Sequence, residues 1–251
     1  MKLENKICLV VGASSGMGRR TAMEAGQQGA TVILAARRVK DCDAAAQTIC
    51  DAGGDAMGLE LDGTDRESIA AAFKIIDDTY GRLDCAFNNL GCAFGFSPLN
   101  KTPVDRWTDT LAVNLTSVFN LMQFEIPLMQ KSGGGAIVNN SSTGGMRGVK
   151  NMADYAAAKW GLVGLTKSAA LDYGDDNIRV NVIAPGIITT EKAEKIQANM
   201  PELFDTLRNQ IPGKRFGEMQ DIANVVTWLM SDDARYVSGA VLPVDAGKTA
   251  G

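Results

Sequence analysis

Tyr155 and Lys159 stand four residues apart in the run ADYAAAKWG. A helix through that Ala-rich stretch puts both side chains on one face. Ser142 lies thirteen residues before the tyrosine, after the run AIVNN, which reads as a buried strand closing at a Ser/Thr/Gly loop. A strand-end hydroxyl, a helical phenol and an ammonium one turn further on could move a proton at the lip of a parallel sheet. The chain has no histidine for that task. A phenol ionises near ~10 and a lysine near ~10.4, so a phenol alone is a poor proton shuttle at neutral pH. A cation within about 4–6 Å favours phenolate, so Lys159 is expected to lower the Tyr155 pKa. Ser142 is expected to hydrogen-bond a substrate oxygen as charge develops on it. Alone, Tyr-x-x-x-Lys is an ordinary amphipathic helix surface; the segments around it decide its meaning.

Residues 6–11, KICLVV, form a short apolar run that stops at Gly12, and GASSGMG follows with glycines at 12, 16 and 18. The next segment favours helix until Gly29. Strand, glycine turn and helix in that order let backbone approach a pyrophosphate, with the N–H groups and dipole of the helix start facing the anion. Gly12, Gly16, Met17 and Gly18 supply that backbone, and Ser14 and Ser15 add hydroxyls. ATVILAARR then reads as a second buried strand ending in two arginines. Dinucleotide folds read the adenosine ribose there: an acid binds the 2′-hydroxyl of NAD, an arginine the 2′-phosphate of NADP. Ala36 stands where the acid is expected, so the sequence favours NADP(H), with Arg37 the main contact and Arg38 pointing elsewhere and contributing less.

The rest alternates strand and helix. Asp62 ends a third strand, placed to contact an adenine ring, and a helix capped by Thr64 or Asp65 follows. Asn88 and Asn89 end a fourth strand, where their amides can hold a neighbouring loop and a ribose. A long helical pattern over 104–131 carries Asn114 on an apolar face, where it must bond a backbone carbonyl or organise a water. Residues 187–215 form an excursion with no matching strand, such as a substrate lid. This alternation predicts an α/β fold, a doubly wound parallel sheet with helices on both faces, as one domain over 1–251.

Composition bounds the partners. A net charge of -4 gives no basic footprint for nucleic acid or an acidic membrane surface. No apolar run approaches a membrane span or a signal-peptide core, and five scattered cysteines without a CxxC pair argue for reduced thiols. The expectations are a cytoplasmic protein, no metal and a small-molecule substrate.

Taken together, these residues resemble the short-chain dehydrogenase/reductase family over essentially the whole chain. The resemblance rests on Gly12, Gly16 and Gly18, on Asn88-Asn89-Leu90-Gly91, on Asn114, and on Ser142, Tyr155 and Lys159, with Pro185-Gly186 and Val244-Asp245-Ala246-Gly247 extending it. It implies a Rossmann-type fold and hydride transfer to or from a nicotinamide. It further implies Tyr155 as acid/base, Lys159 lowering its pKa and holding the nicotinamide ribose, Ser142 positioning the substrate oxygen and Asn114 carrying a proton-relay water. Cofactor contacts are implied at Asn89, Gly91, Pro185, Gly186 and Ile188. Val11, Leu90 and Ala246 depart from the family pattern, and Leu90 is expected to add bulk beside the cofactor.

The apolar bias of residues 92–98, 143–149 and the lid favours a hydrophobic or cyclic ketone/alcohol, hydroxysteroid-like or alicyclic. Arg147, Lys150, Lys192 and Lys195 would instead suit an acidic carrier-bound 3-oxoacyl thioester. A non-catalytic NADP-binding module is the reading from another class. The Ala/Gly-rich face of residues 153–171 and the apolar side of 221–230 exceed what one sheet face requires, which together with the resemblance suggests a homotetramer.

Overall fold

The structure, a computed structural model, describes residues 1–250 and their side chains except at 192, 195, 196 and 197. Seven strands form one parallel sheet: β1 (Ile7–Val11), β2 (Thr31–Ala36), β3 (Asp55–Glu60), β4 (Cys85–Asn88), β5 (Gly135–Asn140), β6 (Ile178–Pro185) and β9 (Val241–Val244). Their order is β3-β2-β1-β4-β5-β6-β9. Strands buried on both faces need apolar residues throughout, and Val32, Ile33, Leu34 and Ala35 of β2 are all fully buried.

Helices cover both faces. α1 (Gly16–Gln27), α2 (Val39–Asp51) and α9 (Met219–Met230) share a core with Cys8, Val10, Val32 and Leu34. α3 (Arg66–Tyr80), α5 (Ser117–Lys131) and α6 (Ala153–Asp172) pack on the opposite face against Leu9, Val11 and Ile33. Of the two cap candidates for α3, Asp65 is the N-cap: its carboxylate accepts from the Glu67 amide at 2.9 Å. Gly81, at φ 66, ends that helix in the left-handed region a glycine tolerates.

Two segments differ from the sequence expectation. The pattern over 104–131 is not one continuous helix: α4 (Val104–Leu111) and α5 flank a wider π turn at Ala112–Thr116 centred on Asn114. Single-turn π bulges of this kind recur at functional sites. The excursion over residues 187–215 carries α7 (Glu191–Asn199) and α8 (Pro201–Asn209), and it does have strand pairing. Its ends meet in a two-stranded parallel ladder of β7 (Ile188–Thr189) and β8 (Gly217–Glu218).

Under the sheet, Asn88 Nδ2 donates to Glu125 Oε2 at 3.2 Å and to Asn139 Oδ1 at 3.0 Å, and Asn139 donates to Thr166 Oγ1 at 3.0 Å. Asn88 therefore faces the core, not a ligand. Burial pushes the Glu125 carboxyl up to about 8, the Asn88 hydrogen bond opposing it. A carboxyl whose folded pKa exceeds its unfolded value holds its proton better when folded. Its contribution is complete below the unfolded value near 4.5 and is lost as pH rises toward 8, by up to ~1.4 kcal/mol per pH unit. Glu125→Gln should flatten the fall in stability between pH 5 and 8. Urea midpoints that decline in parallel for wild type and variant would refute this account.

Candidate active site

The strand order reverses between β1 and β4, and at that switch point the carboxyl ends of parallel strands leave a crevice. Gly12, after β1, has φ +78, and a Cβ on it would overlap the Asn89 carbonyl. A Cβ at Gly18 would overlap the Gly12 carbonyl, so the glycine turn lies flat against the strand ends. Asn89 Nδ2 donates to the Gly12 carbonyl at 3.2 Å, and Asn140 Nδ2 donates to Asn89 Oδ1 at 2.7 Å. The ends of β1, β4 and β5 are thereby tied into one rim.

A cavity of about 770 Å³ opens on that rim. It brings together thirteen of the residues selected from sequence: Gly12, Ser14, Ser15, Gly16, Met17, Arg38, Asn89, Gly91, Ser142, Tyr155, Lys159, Pro185 and Gly186. Gly18 lies behind the turn, and Ile188 instead lines a separate cavity of about 440 Å³ with Ile211 and Val225. Arg19, Asp41, Asn140, Ser141, Thr190 and Glu191 also line the crevice. The sequence reading missed them because each sits one to three residues from a selected position, where only the backbone path decides which side chain turns inward.

Of the two arginines, it is Arg38 and not Arg37 that lines the crevice. Arg38 Nη2 donates to Ser14 Oγ at 3.0 Å and reaches Ser15 Oγ at 3.4 Å, while its Nε pairs with Asp41 at 2.7 Å. Arg38 is the N-cap residue of α2, so the turn into that helix sends its side chain back over the glycine turn. Arg37 is absent from the cavity lining. Asp62 is likewise absent from that lining. Burial opposes its ionisation, but hydrogen bonds from the Thr64 amide and hydroxyl (2.9 and 2.7 Å) and the Arg37 charge hold its carboxyl below the usual range.

At the other end of the crevice, α6 carries Tyr155 and Lys159 and the turn after β5 carries Ser142. Lys159, only 2% exposed, donates to the carbonyls of Asn140 (2.8 Å) and Leu90 (3.2 Å). Its Nζ lies 5.8 Å from the Tyr155 ring centroid, over the ring face. The expected lowering of the phenol pKa is not found. Burial raises it, with the Ser142 hydrogen bond opposing, and burial drops Lys159 to about 7. Desolvation by burial is the largest cause for both groups.

Asn114 is fully buried behind Gly91, its Nδ2 donating to the carbonyls of Thr110 and Cys92, each at 2.9 Å. Its Oδ1 is a buried acceptor with no partner among the described residues. A Cβ on Gly91 would come within 2.7 Å of that oxygen and 2.8 Å of Lys159 Nζ. Glycine is thus needed where the two groups converge. Leu90 also lines the crevice, and its side chain packs against Gly63, which cannot gain a Cβ without overlapping it.

These features fit a nicotinamide dinucleotide: a flat glycine cradle at a helix start, hydroxyls and a guanidinium at one end, and a phenol–ammonium pair at the other. Among the described residues no helix is long and apolar enough to cross a membrane. Lys192 and Lys195 fall outside the described side chains.

A family described as Enoyl-(Acyl carrier protein) reductase matches residues 12–249. The chain is 37% identical over 249 residues to cyclohexanol dehydrogenase of Acinetobacter sp., covering 99% of this chain and 96% of that one. It is equally 37% identical, over 247 residues, to the 3-oxoacyl-[acyl-carrier-protein] reductase FabG of Thermotoga maritima, covering 98% and 99%. Among solved structures, a 7α-hydroxysteroid dehydrogenase complexed with NADH and 7-oxo glycochenodeoxycholic acid superposes with a TM-score of 0.93 at 31% identity, covering 98% and 95%.

Proposed function

Because the chain belongs to the short-chain dehydrogenase/reductase family, oxidoreductases acting on CH–OH and C=O groups, we propose that it interconverts a hydrophobic or cyclic secondary alcohol and its ketone with NADP(H). The observation that carries this reading is the convergence of Ser142, Tyr155 and Lys159 in the crevice whose far end holds Arg38, Ser14 and Ser15. When bound, the cofactor supplies or accepts the hydride. Tyr155 gives a proton to the substrate oxygen in reduction and takes it back in oxidation, and Ser142 holds that oxygen. Lys159 keeps the phenol oriented, and Asn114, whose Oδ1 is a buried acceptor beside the ammonium, would hold a water that passes a proton toward the phenol. The glycine turn takes the pyrophosphate, and Asn89 and Gly91 border the path between the two ends.

Exposed apolar side chains on the two segments that continue from the lining residues Gly91 and Glu191 support the substrate class. Phe94 and Phe96 are exposed on the loop after β4, as are Met200 and Leu203 on the lid, and a polyol would need paired donors there instead. The cyclohexanol and hydroxysteroid relatives support the same class. The FabG relative and the exposed Arg147 and Lys150 favour a second reading, a 3-oxoacyl-thioester reductase. Oxidation of NADPH by a panel of alicyclic ketones, oxosteroids, 3-oxoacyl thioesters and sugars decides between them. Turnover of the cyclic ketones is expected to exceed the thioesters at least tenfold, and the reverse order rejects the first reading.

This reading includes a homo-oligomer, with the face of α5 and α6 against a second copy. Phe119, Trp160 and Leu171 stand exposed there. On the apolar side of α9, Ile222, Val226 and Leu229 pack against α1 and the sheet, while Val225 and Trp228 stay only partly buried. Light scattering should give a tetramer at micromolar concentration; a monomer would remove this part.

A further inference from the structure

One buried ion pair lies beside the crevice but does not line it. Arg106 on α4 donates from Nε to Asp154 Oδ2 at 2.9 Å, with the two side chains 12% and 3% exposed. Asp154 is the residue before Tyr155. Its Oδ2 also accepts from Thr110 Oγ1 at 3.1 Å, and the Thr110 carbonyl accepts from Asn114 at 2.9 Å. The carboxylate thus joins the first turn of the tyrosine helix to the element that carries Asn114. Its other oxygen is buried with no partner among the described residues, so if Arg106 is lost only the Thr110 hydroxyl remains to this carboxylate there.

The same guanidinium reaches the substrate-side loop. Nη2 donates to Thr102 Oγ1 at 3.1 Å, Thr102 Oγ1 lies 3.1 Å from Ser97 Oγ, and the Ser97 amide donates to the Asn151 carbonyl at 3.0 Å. Gly95 passes so close that a Cβ there would come within 3.2 Å of Arg106 Nη1. A planar fork can hold a carboxylate and a hydroxyl at fixed angles at once, which an ammonium cannot.

We propose that Arg106 and Asp154 are positioning residues that set Tyr155 against Asn114 and hold the loop of residues 92–102 as the substrate wall. The inference rests on the dehydrogenase reading for its effect on rate, and on loop order for its effect without substrate. Three single variants, Asp154→Asn, Arg106→Met and Arg106→Lys, and the double variant Arg106→Met/Asp154→Asn test it. Asp154→Asn and Arg106→Met should each lower kcat at least twentyfold with NADPH affinity within threefold of wild type. Amide exchange in residues 92–103 and 151–156 should accelerate at least fivefold while β1 and β4 are unchanged. Arg106→Lys, which keeps a charge for Asp154 but not the fork, should restore most of kcat and leave residues 92–103 unprotected. The double variant should be no slower than the worse single one. Exchange and kcat within twofold of wild type in both Arg106→Met and Asp154→Asn overturn the proposal, as does a double variant whose loss is the product of the singles. Should Asp154→Asn not fold, Arg106→Lys and Arg106→Met carry the same comparison. A wild type that turns over no carbonyl removes the dehydrogenase reading, and exchange still decides the positioning role.

Discussion

Tyr155→Phe should lose at least ~10²-fold in turnover of any ketone the wild type reduces, the lower end of what general acid–base groups contribute. The variant removes one hydroxyl from a side chain whose ring keeps its place over Lys159. Cofactor affinity should therefore stay within a few-fold, read as quenching of protein fluorescence or enhancement of NADPH emission. No histidine exists in the chain to substitute. Lys159 already donates to the Asn140 and Leu90 carbonyls, which leaves the phenol as the group to give the proton. A variant that keeps a tenth of wild-type kcat would mean the proton comes from elsewhere.

The second large effect concerns cofactor choice. Arg38→Ala should cost roughly ten- to a hundred-and-fifty-fold in the preference for NADP(H) over NAD(H), equivalent to about 1.5–3 kcal/mol for hydrogen bonds to a charged group. Its guanidinium already lies against Ser14 and Ser15, so a 2′-phosphate beside those hydroxyls meets a forked donor held in place by Asp41. Arg37→Ala should matter less, acting by screened long-range attraction. Ala36→Asp added to Arg38→Ala should reverse the preference, since it returns the carboxylate that accepts a ribose hydroxyl and repels a phosphate. Ratios of kcat/KM for the two cofactors measure this. A wild type that uses both equally, or an Arg37→Ala loss larger than that of Arg38→Ala, defeats the assignment.

The sequence carried the sheet and the crevice because both rest on local signals. Apolar runs ending in glycine or asparagine mark the strand ends, and Tyr155 and Lys159 share a face by spacing alone. It failed where a side chain's direction depends on a turn. Nothing in ARRV tells which arginine folds back, because that follows from where α2 begins. The π turn around Asn114 was equally hidden, since one added residue in a helical ladder leaves the apolar periodicity almost intact. The pKa reading departed for a further reason: spacing shows that a cation is near, but not that both groups are buried deeply enough for desolvation to be the larger effect. The Arg106–Asp154 pair left no signal, its partners being 48 residues apart.

The ladder of Ile188 with Gly217 and Thr189 with Glu218 gives the lid the character of an exchangeable cassette. Its two ends meet in register at the edge of the crevice, so the segment between them is closed by its own short clasp and the seven-stranded sheet does not have to move to receive it. Doubling the length of such a loop adds only about 0.6 kcal/mol of closure entropy. The fold can therefore trade this segment for another of different size and lining while the glycine cradle and the tyrosine helix stay as they are.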